Sequence, residues 1–358
     1  EEPRLRVLHL EGSSYGIGYR YGQEMKEEIA VITGRWKALL EEQWQMSPEA
    51  AIEQFLSTTK HVEAIEEACP ELLLEVKGIA DGSGLPYKTM LAFQMSEEMD
   101  IHAQRSPGER CTAIAASGNS QHPTIVSQNM DPPLFLHGYP TILHIKRDNG
   151  KEAFILTVPG LIGINGMSKQ GVAVACNSIS MLNSAGSGLP VAFVLRTILE
   201  KNNMDEIDAF LRGIGHATPQ TYTVGDREEA RCYECSSGGC STYMTFPGQQ
   251  VILHTNFAIA NRDFNDNFIT LLSVYGKTID DPYFCPRFYL LYDLIAANDT
   301  TVDVPFIRQM LRLREPPEHP VLNSETYGTS IMLLDEEPMM YFQTGSSDGS
   351  YTKLNFNR

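Results

Sequence analysis

Basic residues are the first thing this chain is short of. Lysine and arginine number 28 against 45 aspartates and glutamates, for a formal charge of −17. A nucleic-acid partner needs a basic face to meet phosphate, so that class is excluded. An anionic membrane surface is disfavoured for the same reason. No apolar run approaches the ~18 residues that a membrane-spanning helix requires. Cysteine is sparse, seven in 358 residues; that is too few for a disulfide scaffold, and an odd count leaves at least one thiol outside any intramolecular pair. A dinucleotide fingerprint is also missing. Gly16-Ile17-Gly18-Tyr19-Arg20-Tyr21-Gly22 is one residue off the required spacing, and no acidic residue closes a second strand about 20 residues on. Those glycines read instead as tight helix–strand packing. The nine histidines are scattered, none in a recognisable Gly-flanked catalytic motif, and the Cys-Gly-Ser-Cys-Trp signature of papain-type enzymes is absent. There is no internal repeat, and no linker long enough to separate independent domains.

What is present is enough apolar sequence, 42%, to build one large core or two ordinary ones. The chain opens on Glu1 rather than Met, as a trimmed chain would. That leaves the compartment open between cytoplasm, periplasm and exterior. Cys232-x-x-Cys235 followed by Cys240 supplies three of the four ligands of a structural zinc site; a local hairpin disulfide is the alternative in an oxidising compartment. After a short strand at residues 5–10, the first hundred residues read as nearly all helix. One helix is expected from Tyr21 to about Gln45, and another behind the Ser47-Pro48 start signal. From Thr112 the texture changes to short alternating runs, Thr112–Ala116, Thr124–Ser127, Thr141–Lys146, Glu152–Val158, Ile162–Met167 and Val172–Cys176, which predict an antiparallel meander. Helices at 190–201 and 204–212, a second strand group at 220–254, helices at 287–297 and 304–312, and a closing hairpin follow. The segment Ala258–Pro282 reads equally as a cover for a pocket or as a surface excursion. Segregated runs of this kind predict an α+β fold, a four-layer αββα sandwich with helices outside two sheets.

The chain's chemistry centres on Glu109-Arg110-Cys111-Thr112-Ala113, where a polar run ends at a cysteine that opens a strand. A buried structural cysteine is the plain alternative. A thiol with a pKa of about 8.5 needs a base. Its own α-amine, with a pKa of about 8, can serve if the bond after Arg110 is cut. The thiol can make that cut itself by attacking the Arg110 carbonyl. Oxyanion donors would then come from strand ends: Gln128-Asn129-Met130-Asp131, Cys176-Asn177-Ser178 and His254-Thr255-Asn256.

These pieces, with Leu161–Met167 leading into Gly171-Val172-Ala173-Val174 and with Gly188-Leu189-Pro190, occur in an order that resembles the acyl-coenzyme A:6-aminopenicillanic acid acyltransferase group of N-terminal-nucleophile hydrolases. More distantly they resemble the choloylglycine (bile-salt) hydrolases. The stretches at Gly16–Gly22 and Glu75–Gly82 resemble the family's pro-segment. The resemblance implies that Cys111 is the self-exposed nucleophile and that Asp131 orients it. It implies that Asn256 is the oxyanion-hole asparagine and that Asn177 lies at a polar position near the pocket. Arg287 is loosely similar to a substrate-side arginine of the bile-salt branch, and reads equally as a surface residue at a helix start. Two departures stand out. Gln128 replaces the arginine that the bile-salt branch carries three residues before the aspartate, and Arg110 replaces the glycine that usually precedes the nucleophile.

The reading that follows is an autoprocessed cysteine amidohydrolase or acyltransferase, acting on a small-molecule amide or acyl thioester through a thioester acyl-enzyme. Residues 1–110 form a helical pro-segment that stays associated with the catalytic part, 111–358. No metal or tightly bound cofactor is implied; coenzyme A thioesters would be donors if transfer is the reaction. Two alternatives stay open: a papain-like enzyme with a distant histidine, and a non-cleaving homologue with a binding role.

Overall fold

The computed structural model describes residues 4–103, 111–280, 285–298, 300–345 and 349–357. The chain enters as strand β1 (Arg6–Gly12) and continues as helices α1 (Ser14–Glu24), α2 (Lys26–Trp44), α3 (Pro48–Thr58), α4 (His61–Ala68), α5 (Pro70–Ser83), α6 (Tyr87–Phe93) and α7 (Ser96–His102). Strands β2 (Thr112–Ala116), β3 (Ile125–Met130), β4 (Thr141–Arg147), β5 (Glu152–Thr157), β6 (Asn165–Ser168) and β7 (Ala173–Ser178) follow. Next come α8 (Val191–Ile198), α9 (Met204–Gly213), β8 (Gln220–Gly225), β9 (Ala230–Ser236), β10 (Gly239–Tyr243) and β11 (Val251–His254). Helices α10 (Asp266–Val274), α11 (Pro286–Ala296) and α12 (Val304–Leu311) precede β12 (Gly328–Leu333), β13 (Met339–Thr344) and β14 (Thr352–Asn355).

The capping signals work as the sequence predicts. Ser47 Oγ accepts from the Ala50 N–H, with Pro48 in the first turn of α3. The single helix expected over Tyr21–Gln45 is instead two helices, broken at Met25 (φ −116°, ψ 21°). The break lets α1 and α2 serve different neighbours. Helix α1 lies directly on α5, where a Cβ on Gly18, Gly22, Gly78 or Gly82 would strike backbone of the opposite helix. The N-terminal glycines are therefore helix–helix contacts, not the helix–strand contacts expected. The apolar stripe Ile29, Ile32, Trp36 and Leu40 of α2 is buried; full burial of each such side chain contributes about 1.5–3 kcal/mol.

Two sheets form the centre. One has the order β1-β4-β5-β6-β7-β8-β9-β10, the other β11-β2-β3-β12-β13-β14. The run expected as one meander is thus divided: β4 to β7 are a meander in the first sheet, while β2 and β3 pair with each other in the second. The N-terminal segment also does more than cover the core, since β1 pairs in parallel with β4 as an edge strand.

Alternation along β2 and β3 sets the layers. Ile114, Ala116 and Ile125 join Phe288, Leu291, Ile295 and Ile307 of α11 and α12 on the outer face of the second sheet. Cys111, Ala115, Val126 and Met130 face the large core between the sheets. Helix α8, whose Phe193, Val194 and Leu195 belong to the same contiguous apolar cluster, packs against β7 of the first sheet. Helices thus flank two stacked sheets, the αββα sandwich that the element order predicts.

A buried ion triad ties the N-terminal helices to this sandwich. Glu75 of α5 is fully buried; Arg196 of α8 binds both its oxygens, at 2.7 and 2.8 Å, and Arg147 of β4 donates to Oε2 at 3.0 Å. Burial opposes the charge on Glu75, but the two guanidiniums outweigh it and hold the carboxyl below its ordinary range.

Candidate active site

Strand β2 is flanked by β11 and β3. The registers His254↔Ala113 and Thr112↔Asn129, continued by one or two residues, bring Asn256 to one side of Cys111 and Met130 to the other. Cys111 is 1% exposed, and its Sγ lies 3.5 Å from Met130 Sδ. Arg287, in the first turn of α11, is buried rather than at the surface. Its Nη1 donates to Thr112 Oγ1 at 2.7 Å and to Cys111 O at 3.4 Å; its Nη2 donates to Asn256 Oδ1 at 3.2 Å. Asn256 Nδ2 in turn donates to Ser178 O at 3.1 Å.

Asp131 follows β3 on the side of the sheet that Arg287 occupies. Asn323 Nδ2 donates to its Oδ2 at 2.7 Å, while Oδ1 is buried without a hydrogen-bond partner. Burial pushes the Asp131 carboxyl up, against the opposing pull of the Thr326 hydroxyl, Arg287 and Asn323. Asn177 stands on β7 of the opposite sheet and reaches across: its Nδ2 donates to His254 O at 3.2 Å and Thr255 O at 3.0 Å. Gln128 joins the same bridge. It donates to Cys176 O and, at 2.9 Å, to Asn177 Oδ1, and it accepts from Asn165 Nδ2 at 2.9 Å. The glutamine at the position where the bile-salt branch has arginine is thus spent on holding the two sheets together.

Cys111, Asp131, Asn177, Asn256 and Arg287 therefore converge. Arg110 and the polar run before it lie outside the described residues. Several partners gave no clear signal in the sequence: Asn165 and Asn323, each far along the chain from what it holds, and Glu234. A signal for Glu234 existed. It is a charged residue on β9 at the same parity as Cys232, on a strand that is otherwise largely apolar.

Beside the thiol is a pocket of about 80 Å³. Met130 belongs to its wall, with Leu136, Leu161, Val191, Ala192 and Leu195, and Glu97 and Asp100 supply carboxylates. The wall strand that reaches it, β7, contributes Cys176. Elsewhere, Cys235 and Cys240 are directly opposed across β9 and β10 and form a disulfide. Cys232 does not join them, because residues three apart on a strand point to opposite faces. It lies instead beside the Thr223 hydroxyl, 3.7 Å away.

Comparison with known proteins gives the following. Residues 121–270 match the sequence model of the acyl-coenzyme A:6-aminopenicillanic acid acyl-transferase family. The protein dcd1B of Dictyostelium discoideum is 26% identical over 230 residues, 56% of this chain and 43% of that protein. Dictyostelium dcd1A is 27% identical over 237 residues, 60% of this chain and 53% of that one. The chain thus spans about half the length of these relatives. Among solved structures, a variant of the conjugated bile acid hydrolase from Clostridium perfringens aligns at 14% identity and a TM-score of 0.42, covering 68% of this chain and 92% of that one. Penicillin V acylase from Agrobacterium tumefaciens aligns at 12% identity and a TM-score of 0.39, covering 69% and 87%. The resemblance read from the motifs is borne out over residues 121–270, the stretch that matches the model of the acyl-coenzyme A:6-aminopenicillanic acid acyl-transferase family.

Proposed function

We propose that the protein is a cysteine-dependent amidohydrolase or acyltransferase whose nucleophile, Cys111, becomes an N-terminus when the bond after Arg110 is cut. The observation that carries this reading is the convergence of Arg287 and Asn256 on Cys111, next to an apolar pocket.

In the proposed reaction Cys111 Sγ attacks an amide or thioester carbonyl carbon, and the α-amine of Cys111 takes the thiol proton. The oxyanion accepts from Asn256, whose Nδ2 carries two hydrogens and gives one to Ser178 O, and from a backbone N–H. Asp131 Oδ1, which is buried without a hydrogen-bond partner, accepts from the new ammonium group in this reading. The ammonium then protonates the leaving nitrogen or sulfur, the bond to it breaks, and a thioester to Cys111 remains. Water adds to that thioester and releases a carboxylic acid; an amine in its place takes the acyl group. In both cases the proton returns to Sγ. The walls of the pocket suit an aliphatic or aryl acyl group.

A papain-like pairing is disfavoured for the nearest strand histidine. His254 has both ring nitrogens engaged, one with Glu234 at 2.7 Å and the other with Thr255 O at 2.7 Å. The test is acyl trapping with a p-nitrophenyl ester of a short fatty acid. Peptide mapping should place one acyl group on a peptide that begins with Cys111, and Cys111→Ala should carry none. Acylation elsewhere, or equal labelling of the variant, would reject the assignment.

A further inference from the structure

The second carboxylate of this region lies outside the reacting groups. Glu234, on β9 of the first sheet, is fully buried and accepts four hydrogen bonds. His254 Nε2 lies 2.7 Å from Oε1, the backbone N–H groups of Ile259 and Ala260 donate at 2.7 Å, and that of Asn261 donates at 2.6 Å. Asn261 Nδ2 returns to Glu234 O at 3.0 Å and to Gly239 O at 3.1 Å. His254 is the last residue of β11, and Asn261 is seven residues on. One carboxylate thus clamps both ends of the loop 255–261, and Asn256 sits inside it. Burial opposes the charge on Glu234; the hydrogen bond and charge of His254 outweigh it, with the N–H groups of Asn261 and Ile259 adding to them, so the carboxyl stays below its ordinary range.

We propose that Glu234 is a positioning residue that fixes Asn256 as the oxyanion donor. The inference rests on the role assigned to Asn256 above. Only a carboxylate can satisfy this ring of donors, since it has two oxygens and about four acceptor sites and no hydrogen to turn toward them. An amide of the same shape would set an N–H group against backbone N–H groups or the imidazole and loosen the loop. The effect on Asn256 would fall on steps that build an oxyanion and spare those that do not.

Two reactions of Cys111 separate these cases. Acylation by a p-nitrophenyl ester passes through a tetrahedral oxyanion; alkylation by iodoacetamide displaces iodide at a saturated carbon and forms none. Both rates are measured at Cys111 by peptide mapping, referred to the processed fraction, for wild type and Glu234→Gln. Loss of an oxyanion donor costs on the order of 10²–10³, so a displaced one should slow acylation by at least ~10-fold, with alkylation changed by less than about twofold. If both rates fall together, or neither falls, Glu234 has no such role. A wild type that is alkylated but never acylated would reject the reading of Asn256 itself, and this proposal with it. Should Glu234→Gln fail to fold or to process, Asn261→Ala is read in its place. It releases the far end of the loop without stranding a charge, and must show the same selective loss of acylation.

Discussion

Arg287 Nη2 and Asn256 Oδ1 are 3.2 Å apart, and the same guanidinium touches Thr112 and Cys111 on the neighbouring strand. One cation from α11 therefore sets the orientation of the Asn256 amide relative to the thiol. Because Oδ1 faces the arginine, Nδ2 faces Ser178 O, to which it donates at 3.1 Å; in the proposed reaction its second hydrogen meets the oxyanion.

A lysine cannot reproduce that fork. Arg287→Lys should keep the fold, since a charge remains near Asp131, yet slow ester acylation of Cys111 by at least ~10-fold, short of the roughly 10²–10³ lost when an oxyanion donor is removed outright. A lysine variant as fast as wild type would show that the arginine only fills space.

The Glu75 triad predicts how firmly the N-terminal helices are held. Glu75→Ala leaves Arg196 buried without its carboxylate, while Arg147 keeps Glu200 at 3.1 Å; breaking a buried pair in this way typically costs about 3–5 kcal/mol. Denaturant unfolding should show a loss of this size. A loss under ~1 kcal/mol, the level of a surface ion pair, would mean that the triad does not anchor the segment.

Glu98 of α7 supplies a pH dependence. Its Oε1 accepts from the Val191 N–H, at the start of α8, and from the Thr218 hydroxyl, while Oε2 is buried without a partner. Burial raises the pKa from an ordinary 4.5 to about 7, against those hydrogen bonds. A carboxyl raised in this way favours the fold when protonated. Its contribution is complete below about pH 4.5 and is lost as pH rises through 7, for a total on the order of 3 kcal/mol. Compared with wild type, Glu98→Gln should gain stability in relative terms across that window, with the difference flat above pH 8. Parallel melting curves for the two proteins from pH 4.5 to 8 would contradict the assignment.

Ala192 lies in the pocket wall on α8. Ala192→Phe should fill the pocket and shift ester preference toward shorter acyl chains. The discrimination expected is about 10–200-fold per methylene excluded. Unchanged preference would place the acyl group elsewhere.

Much of this arrangement is legible in the sequence, for reasons that differ by residue. The β2 strand after Cys111 and β11 before Asn256 have the predicted bounds, because alternation and flanking turn residues fix short strands locally. The assignment of strands to sheets is not local: β2 and β3 leave the expected meander because Ile114 and Ile125 must meet α11 and α12 on the far face. The Met25 break was hidden because a continuous apolar stripe carries no sign of two separate packing partners. The exposed apolar stretch of α10, with Ile269, Leu271 and Val274, gave no clean helical period. Asn323 was silent since it acts on a residue distant in the chain, and Glu234 showed only as a charge on a buried strand. Arg287 was ambiguous because a helix-start arginine shows its burial only after folding.

The central claim is that Cys111 exposes its own amine. It is tested most directly by denaturing intact mass of freshly purified wild type beside Cys111→Ala. A cut after Arg110 divides the 39.9 kDa chain into pieces of about 12 and 28 kDa, by share of residues. The account predicts both pieces in wild type and a whole variant. A single wild-type species of 39.9 kDa that stays intact on incubation would contradict it.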